Sequence, residues 1–221
     1  MKKICLLLTV ILFSASCVSA QGNRYSDFFD KLMNKPTAQE RLAPVKASVD
    51  DALTPNEQAI LLYNENNLKA ALDVLTAIKE ADRTPEDWLL IGNILQDQEK
   101  ISDAIFMYQR AIVVNPKFYK AYYNLGNIYL EQEKPYLAIE NYRQANKADN
   151  TFPYAYYNLG CAYLKIGNLR KAKIAFLKAI ELKNTEPNFH YNLAYTYKML
   201  NKPKLSKKYL EFYNKLMNGE K

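Results

Sequence analysis

Side chains able to do chemistry are sparse in this chain. His190 is the only histidine among 221 residues, and Cys5, Cys17 and Cys161 are the only cysteines. A general base needs a partner within hydrogen-bond reach, and a His/Cys metal site needs three or four ligands. One histidine and one thiol outside the N-terminal segment cannot supply either set. No Gly-rich phosphate loop, nucleophile elbow or paired zincin histidines occur. Glu131, Glu133, Asp149 and Glu181 could pair in principle, but they read as solvated faces and ends of helices. Cys161 follows Gly160 directly. It reads first as a small, half-buried side chain and second as a reactive or partner-linking thiol. The expectation is therefore no catalytic residue, no metal, no cofactor and no enzymatic activity.

The 18 tyrosines are the other chemical resource. Stacking on sugars or bases is their obvious use, yet base-stacking proteins pair aromatics with a basic track. Here the formal charge is +7, and Lys2 and Lys3 lie in the N-terminal segment. Of 30 basic residues, 28 then remain against 23 acidic ones, a net +5 dispersed along the chain. That argues against a nucleic-acid footprint and reads as solubility. Hydrophobic residues at 49% and charged residues at 24% are ordinary for a folded protein, and six glycines are too few for an all-β fold.

The N-terminus reads as a targeting segment. Lys2 and Lys3 precede an apolar core of ten residues, Ile4 to Phe13, and small residues run from Ser14 to Ala20. A core of ten residues is too short for a bilayer-spanning helix. The leading reading is a signal peptide over 1–20, cleaved after Val18-Ser19-Ala20. The minority reading takes Ser14-Ala15-Ser16-Cys17 as a lipobox-like stretch and lipidates Cys17, although Ser14 stands where an aliphatic residue is usual. Either way the chain is expected to be exported to a periplasm or cell envelope, with no transmembrane segment after signal removal. Cleavage after Ala20 leaves Cys161 alone, so no intramolecular disulfide is expected.

The elements that would position any site follow a repeat. Gly92, Gly126 and Gly160 stand 34 residues apart, with Ala194 a further 34 on. Twelve residues after each come Ala104, Ala138, Ala172 and Ser206, and four later Tyr108, Tyr142, Phe176 and Leu210. Ala111, Ala145, Ala179 and Tyr213 follow three later still. Trp88, Tyr122, Tyr156 and His190 lie four before, and Leu95, Tyr129, Tyr163 and Tyr197 three after. A worn earlier copy holds Ala59, Leu62, Ala71, Leu75 and Ile78 at the same internal spacing, one step shortened to 33. This pattern resembles the tetratricopeptide repeat, and Tyr122-Tyr123-Asn124-Leu125-Gly126-Asn127 with Tyr129 is close to that family's consensus.

The resemblance implies an all-α fold, a right-handed α-solenoid of about five helix hairpins over 52–84, 85–118, 119–152, 153–186 and 187–221. Apolar residues at helical spacing on two segments per copy agree with it. Thr54-Pro55 and Thr84-Pro85 predict hydroxyl-capped helix starts, and Pro135, Pro153, Pro187 and Pro203 predict further starts. The rings at Tyr122, Tyr129, Tyr142, Tyr156, Tyr163 and Tyr197 are expected in the core. Residues 21–51 fall outside the copies: Arg24 to Met33 reads as a short amphipathic helix covering the first repeat's edge, then a linker. Pro203 to Met217 is expected as a last helix with a wet outer face.

By the same resemblance, a groove is lined by the second, fifth, ninth and twelfth places of each copy. The partner-binding residues so implied are Leu89, Asn93 and Gln96, then Tyr123, Asn127 and Leu130, then Tyr157, Cys161 and Leu164, and finally Tyr191, Tyr195 and Lys198. Exposed aromatics among amides, with few charges, suit a peptide or protein segment with apolar anchors. Family members that grip chaperone C-termini use Lys and Arg at set groove places; Leu89, Tyr123, Tyr157 and Tyr191 stand at the fifth place here, so that clamp is absent. The expected function is a non-enzymatic interaction scaffold in a bacterial envelope. Its Lys, Asn and Tyr usage and Ser-Ala-Gln junction resemble exported proteins of Bacteroidetes. The alternative is a glycan or cell-wall binding subunit using the groove tyrosines.

Overall fold

Caps and prolines set where the helices begin. Thr54 and Thr84 each form a capping box, with Glu57 and Asp87 as the reciprocal partners. Each threonine hydroxyl accepts from the backbone N–H three residues on, and each carboxylate accepts from the threonine N–H. Those bonds to Thr54 hold the Glu57 carboxyl below its ordinary pKa. Six helices open with proline at the first helical position, where its missing N–H is no loss.

The computed structural model describes residues 53–219. The signal segment, Cys17 and the 21–51 segment read above lie outside them. Among the described residues there are ten α-helices and no strands: α1 (Pro55–Asn64), α2 (Leu68–Ala77), α3 (Pro85–Asp97), α4 (Ile101–Val114), α5 (Tyr119–Glu131), α6 (Pro135–Ala148), α7 (Pro153–Lys165), α8 (Leu169–Leu182), α9 (Pro187–Met199) and α10 (Pro203–Met217). A 3-10 turn, Glu80–Asp82, joins α2 to α3. These residues form two compact units, 53–125 and 126–219, dividing within α5. The first holds the hairpins α1–α2 and α3–α4; the second holds α7–α8 and α9–α10, with α6 packed on α7.

Counted from each copy's first residue, the turn inside every hairpin places its fifteenth residue in the left-handed region: Asn66, Glu99, Glu133, Gly167 and Asn201, with φ from 57° to 73°. One of the five is glycine. Asn tolerates this conformation; Glu does so at a cost of roughly 1 kcal/mol.

The close approach within a hairpin is made by a ring lying on a glycine. A Cβ built on Gly92, Gly126 or Gly160 would stand 2.5, 2.5 or 2.6 Å from the Cε1 of Tyr108, Tyr142 or Phe176. All three rings are fully buried. The first and last copies solve the same crossing differently, with Ala59 and Leu75, and Ala194 and Leu210, at the two matching places. Alanine adds the methyl that a ring would not tolerate, and leucine replaces the ring.

The rings expected in the core divide. Tyr142 and Tyr197 are buried, whereas Tyr122, Tyr129, Tyr156 and Tyr163 are half-buried. Their places lie along the helix flank, where a tyrosine can bury its ring edge and leave its hydroxyl wet. Lys171, for example, lies over the Tyr163 ring at 5.5 Å. Trp88, at the place of Tyr122 and Tyr156, is buried instead because Arg83 and Arg110 flank its ring at 4.8 and 5.2 Å. The last helix, α10, has no fully buried residue.

Gly126→Ala should destabilise the protein by about 1–3 kcal/mol through overpacking. Combined with Tyr142→Leu, its cost should shrink, so a double-mutant cycle in urea should show the two changes coupled favourably.

Candidate protein-binding faces and the polar seams behind them

Three register places carry a recurring set of polar contacts between successive copies. In 53–125, the Asn93 Oδ1 accepts from the Tyr108 hydroxyl and from the Asn124 amide, both at 2.9 Å. In 126–219, the Asn127 Oδ1 accepts from Tyr142 at 2.8 Å and from Asn158 at 2.9 Å. The pattern is one of ninth-place acceptor, ring hydroxyl from the same copy, and sixth-place amide from the next. In the following copy the acceptor is Cys161 and the ring is Phe176, which has no hydroxyl to donate. The incoming Asn192 turns instead to the Tyr157 hydroxyl at 2.8 Å, with the Cys161 sulfur at 3.6 Å. In the first copy the same three places hold Ile60, Leu75 and Leu90, all buried and all apolar. A polar acceptor thus occurs where a polar ring occurs, which is what the cost of an unpaired buried group demands.

This seam relocates part of the expected groove. Asn127, Leu130, Tyr157, Cys161 and Leu164 are buried. Asn127 and Cys161 are consumed by the seam. Tyr157 stacks on Phe189 with centroids 4.7 Å apart and lies 5.7 Å from Phe176. Helix stacking covers these places, so they are inter-repeat core rather than open surface. Asn93 is half-buried with its oxygen doubly engaged, and Gln96 lies 2.9 Å from the Tyr108 hydroxyl.

The accessible remainder falls into two sets. In 53–125 it comprises half-buried Leu89, Gln96 and Tyr123; in 126–219, half-buried Tyr191 and Tyr195 with exposed Lys198. Tyr191 leans on Tyr213 at 5.2 Å, which fixes its ring. A second-place side chain, Tyr154, is held by charge: the Lys183 ammonium donates to its oxygen at 2.6 Å and to Glu186 at 2.6 Å. Burial raises the Tyr154 pKa, with Lys183 opposing. Burial also works against the charge on Lys183, but its bonds to Glu186 and Tyr154 hold its pKa above the ordinary value.

No reactive constellation emerges among the described residues. His190 is buried beside the Tyr209 and Phe212 rings, 6.2 and 5.6 Å away, and its Nε2 lies 2.8 Å from the Asn184 carbonyl oxygen. Cys161 is a buried free thiol. Among the described residues, no group of three His, Cys, Asp or Glu side chains could hold a metal ion, and no helix is long and apolar enough to cross a membrane.

A run of helix hairpins with glycine-ring crossings and repeated seams defines a helical-repeat protein. Residues 92–133 and 137–167 match a family model described as TPR repeat, and 153–186 match one described as tetratricopeptide repeat. Over these residues the chain carries tetratricopeptide repeats. A crystal structure of MamA is 20% identical, with a TM-score of 0.67 over 76% of this chain and 98% of that one. MamA 41-end from Desulfovibrio magneticus RS-1 is 20% identical, with a TM-score of 0.66 over 75% of this chain and 94% of that one. At that identity the likeness establishes the fold. No curated protein matches the sequence.

Asn127→Ala should cost about 1–3 kcal/mol, because the Tyr142 hydroxyl and Asn158 amide lose their buried acceptor. Phe176→Tyr should also destabilise, and Cys161→Asn in the same chain should recover much of that loss; chemical denaturation reads both.

A second test is alkaline. Tyr63 donates to Asp97 at 2.8 Å. Its burial, the Asp97 charge and that bond push its pKa far above the ordinary 10.0. The folded chain holds this proton more tightly than the unfolded chain, so the contribution is whole below about pH 10 and lost as pH rises beyond it. Tyr63→Phe should flatten the fall in stability above pH 10.

Proposed function

We propose that this protein is a non-enzymatic scaffold of the cell envelope that holds a peptide or protein segment on the aromatic faces of its first helices. The carrying observation is the pairing of partly open tyrosines, Tyr123 in one unit and Tyr191 and Tyr195 in the other, with rigid seams behind them. Tyrosine offers large contact area at low entropic cost, and a ring already braced by its neighbours has less freedom left to lose. Few charges lie among these residues, which favours apolar anchors over a clamp on a terminal carboxylate. A repeat array with no reactive cluster among its described residues suits holding rather than turnover. Export to the envelope rests on the N-terminal Lys2-Lys3 and Ile4–Phe13 pattern.

The test is capture of envelope peptides or proteins by the full chain, with two variant sets. Leu89→Ala with Tyr123→Ala, and Tyr191→Ala with Tyr195→Ala, should each weaken capture by roughly tenfold or more while leaving the helical circular dichroism unchanged. Tyr157→Ala, by contrast, should lower thermal stability, since that ring is core. Capture unaffected by both sets, or binding to glycans and to no protein, would overturn this reading.

A further inference from the structure

The inner copies show what covers a repeat, and the first and last copies show which places stay exposed among the described residues. At the twenty-fourth place, Leu75, Tyr108, Tyr142 and Phe176 are all 0% exposed, whereas Leu210 is 41% exposed. At the tenth place, Ile94, Ala162 and Thr196 are 0% exposed and Ile128 is 1%, whereas Leu61 is 39% exposed. The inner residues at these places are buried at the seams, as where α6 packs on α7 and α8 on α9. Among the described residues, each half of the seam on α10 and α1 stands without a counterpart, and Met217 extends the open half on α10 at 61% exposure.

The two end copies as wholes also differ in charge. Described residues of the first copy, 53–84, hold five acidic against three basic residues, a net of −2. The last copy, 187–219, holds six lysines against Glu211 alone, a net of +5. Pairing two α10 faces would bring lysines against lysines; pairing α10 with α1 brings opposite signs together. Unlike charges favour and steer such an encounter, and like charges disfavour the symmetric one.

We infer that the exposed apolar face of α10 receives α1 of a second copy of this chain, so that copies associate head to tail. Such a contact is heterologous, and it propagates instead of closing as a twofold pair. The joint is not a replica of an inner seam. Tyr213 stands at the twenty-seventh place, where the inner copies have Ala111, Ala145 and Ala179, so the second copy sits at a wider spacing than the inner step.

Sedimentation velocity on the full chain tests this. Wild type should form a concentration-dependent series of dimers and larger species, weakened by raising the salt, because the lysine-acid attraction is screened. Leu210→Glu and Leu61→Glu should each weaken association by roughly tenfold or more, since each puts a charge into an apolar contact. Both positions are exposed, so unchanged thermal melts should show that folding is intact; Lys207→Glu with Lys208→Glu is a second disruption that leaves the apolar face untouched. The decisive measurement mixes Leu61→Glu with Leu210→Glu. The first keeps a good α10 and the second a good α1, so the mixture should form a dimer and stop there. A monomeric wild type at high concentration and low salt, association lost in Leu210→Glu but retained in Leu61→Glu, or no dimer in the mixture would each overturn the proposal.

Discussion

A ring laid against a glycine closes the hairpin in each central copy, and in two of the three it does a second job on which the seams depend. Tyr108 and Tyr142 bring the two helices of a hairpin together by occupying the space that a Cβ on Gly92 or Gly126 would fill. Their hydroxyls then run on to Asn93 and Asn127, which accept the asparagine of the next copy. One side chain thus couples packing within a hairpin to polar contact between hairpins. A change that moves the ring must disturb both, which ties the cooperativity of neighbouring repeats to a physical contact.

The departures from this scheme are correlated, and physics explains the correlation. Where the ring is Phe176, the acceptor is Cys161, so no hydroxyl or amide oxygen is stranded. Where the first copy has Leu75, Ile60 and Leu90 complete an apolar set. A half-changed set would leave a buried polar group unpaired at a cost of about 1–3 kcal/mol. Single substitutions at these places are therefore expensive, and whole sets change together. The accessible places of the first helices are freed from that constraint.

Much of this was legible in the residues themselves. Helix starts at Pro55, Pro85, Pro135, Pro153, Pro187 and Pro203 follow from proline's fixed φ and missing N–H, and the structure begins helices at all six. The 34-residue spacing of Gly92, Gly126 and Gly160 named the hairpin crossing, because only a small residue permits that approach. The accessible face was less legible. Tyr157 and Tyr191 are the same residue at the same place, yet one is buried and the other half-open. Asn127 and Cys161 read as groove residues and proved to be seam residues. The signal for that lay in the sequence, in the joint change of Asn and Tyr to Cys and Phe one repeat later.

Local chemistry is what the chain alone determined: the all-α class, the repeat length, the caps, the crossings and the scarcity of reactive side chains. These depend on short-range sterics and hydrogen bonding, which neighbours a few residues away decide. Exposure and hydrogen-bond partnership were settled only by the tertiary structure. Whether Tyr157 faces a partner or a Phe189 ring depends on a helix some 30 residues downstream, stacking on it or not. The same holds for Leu210, which is apolar like the 0%-exposed residues at its place and stands 41% exposed because no helix of the described residues packs over it.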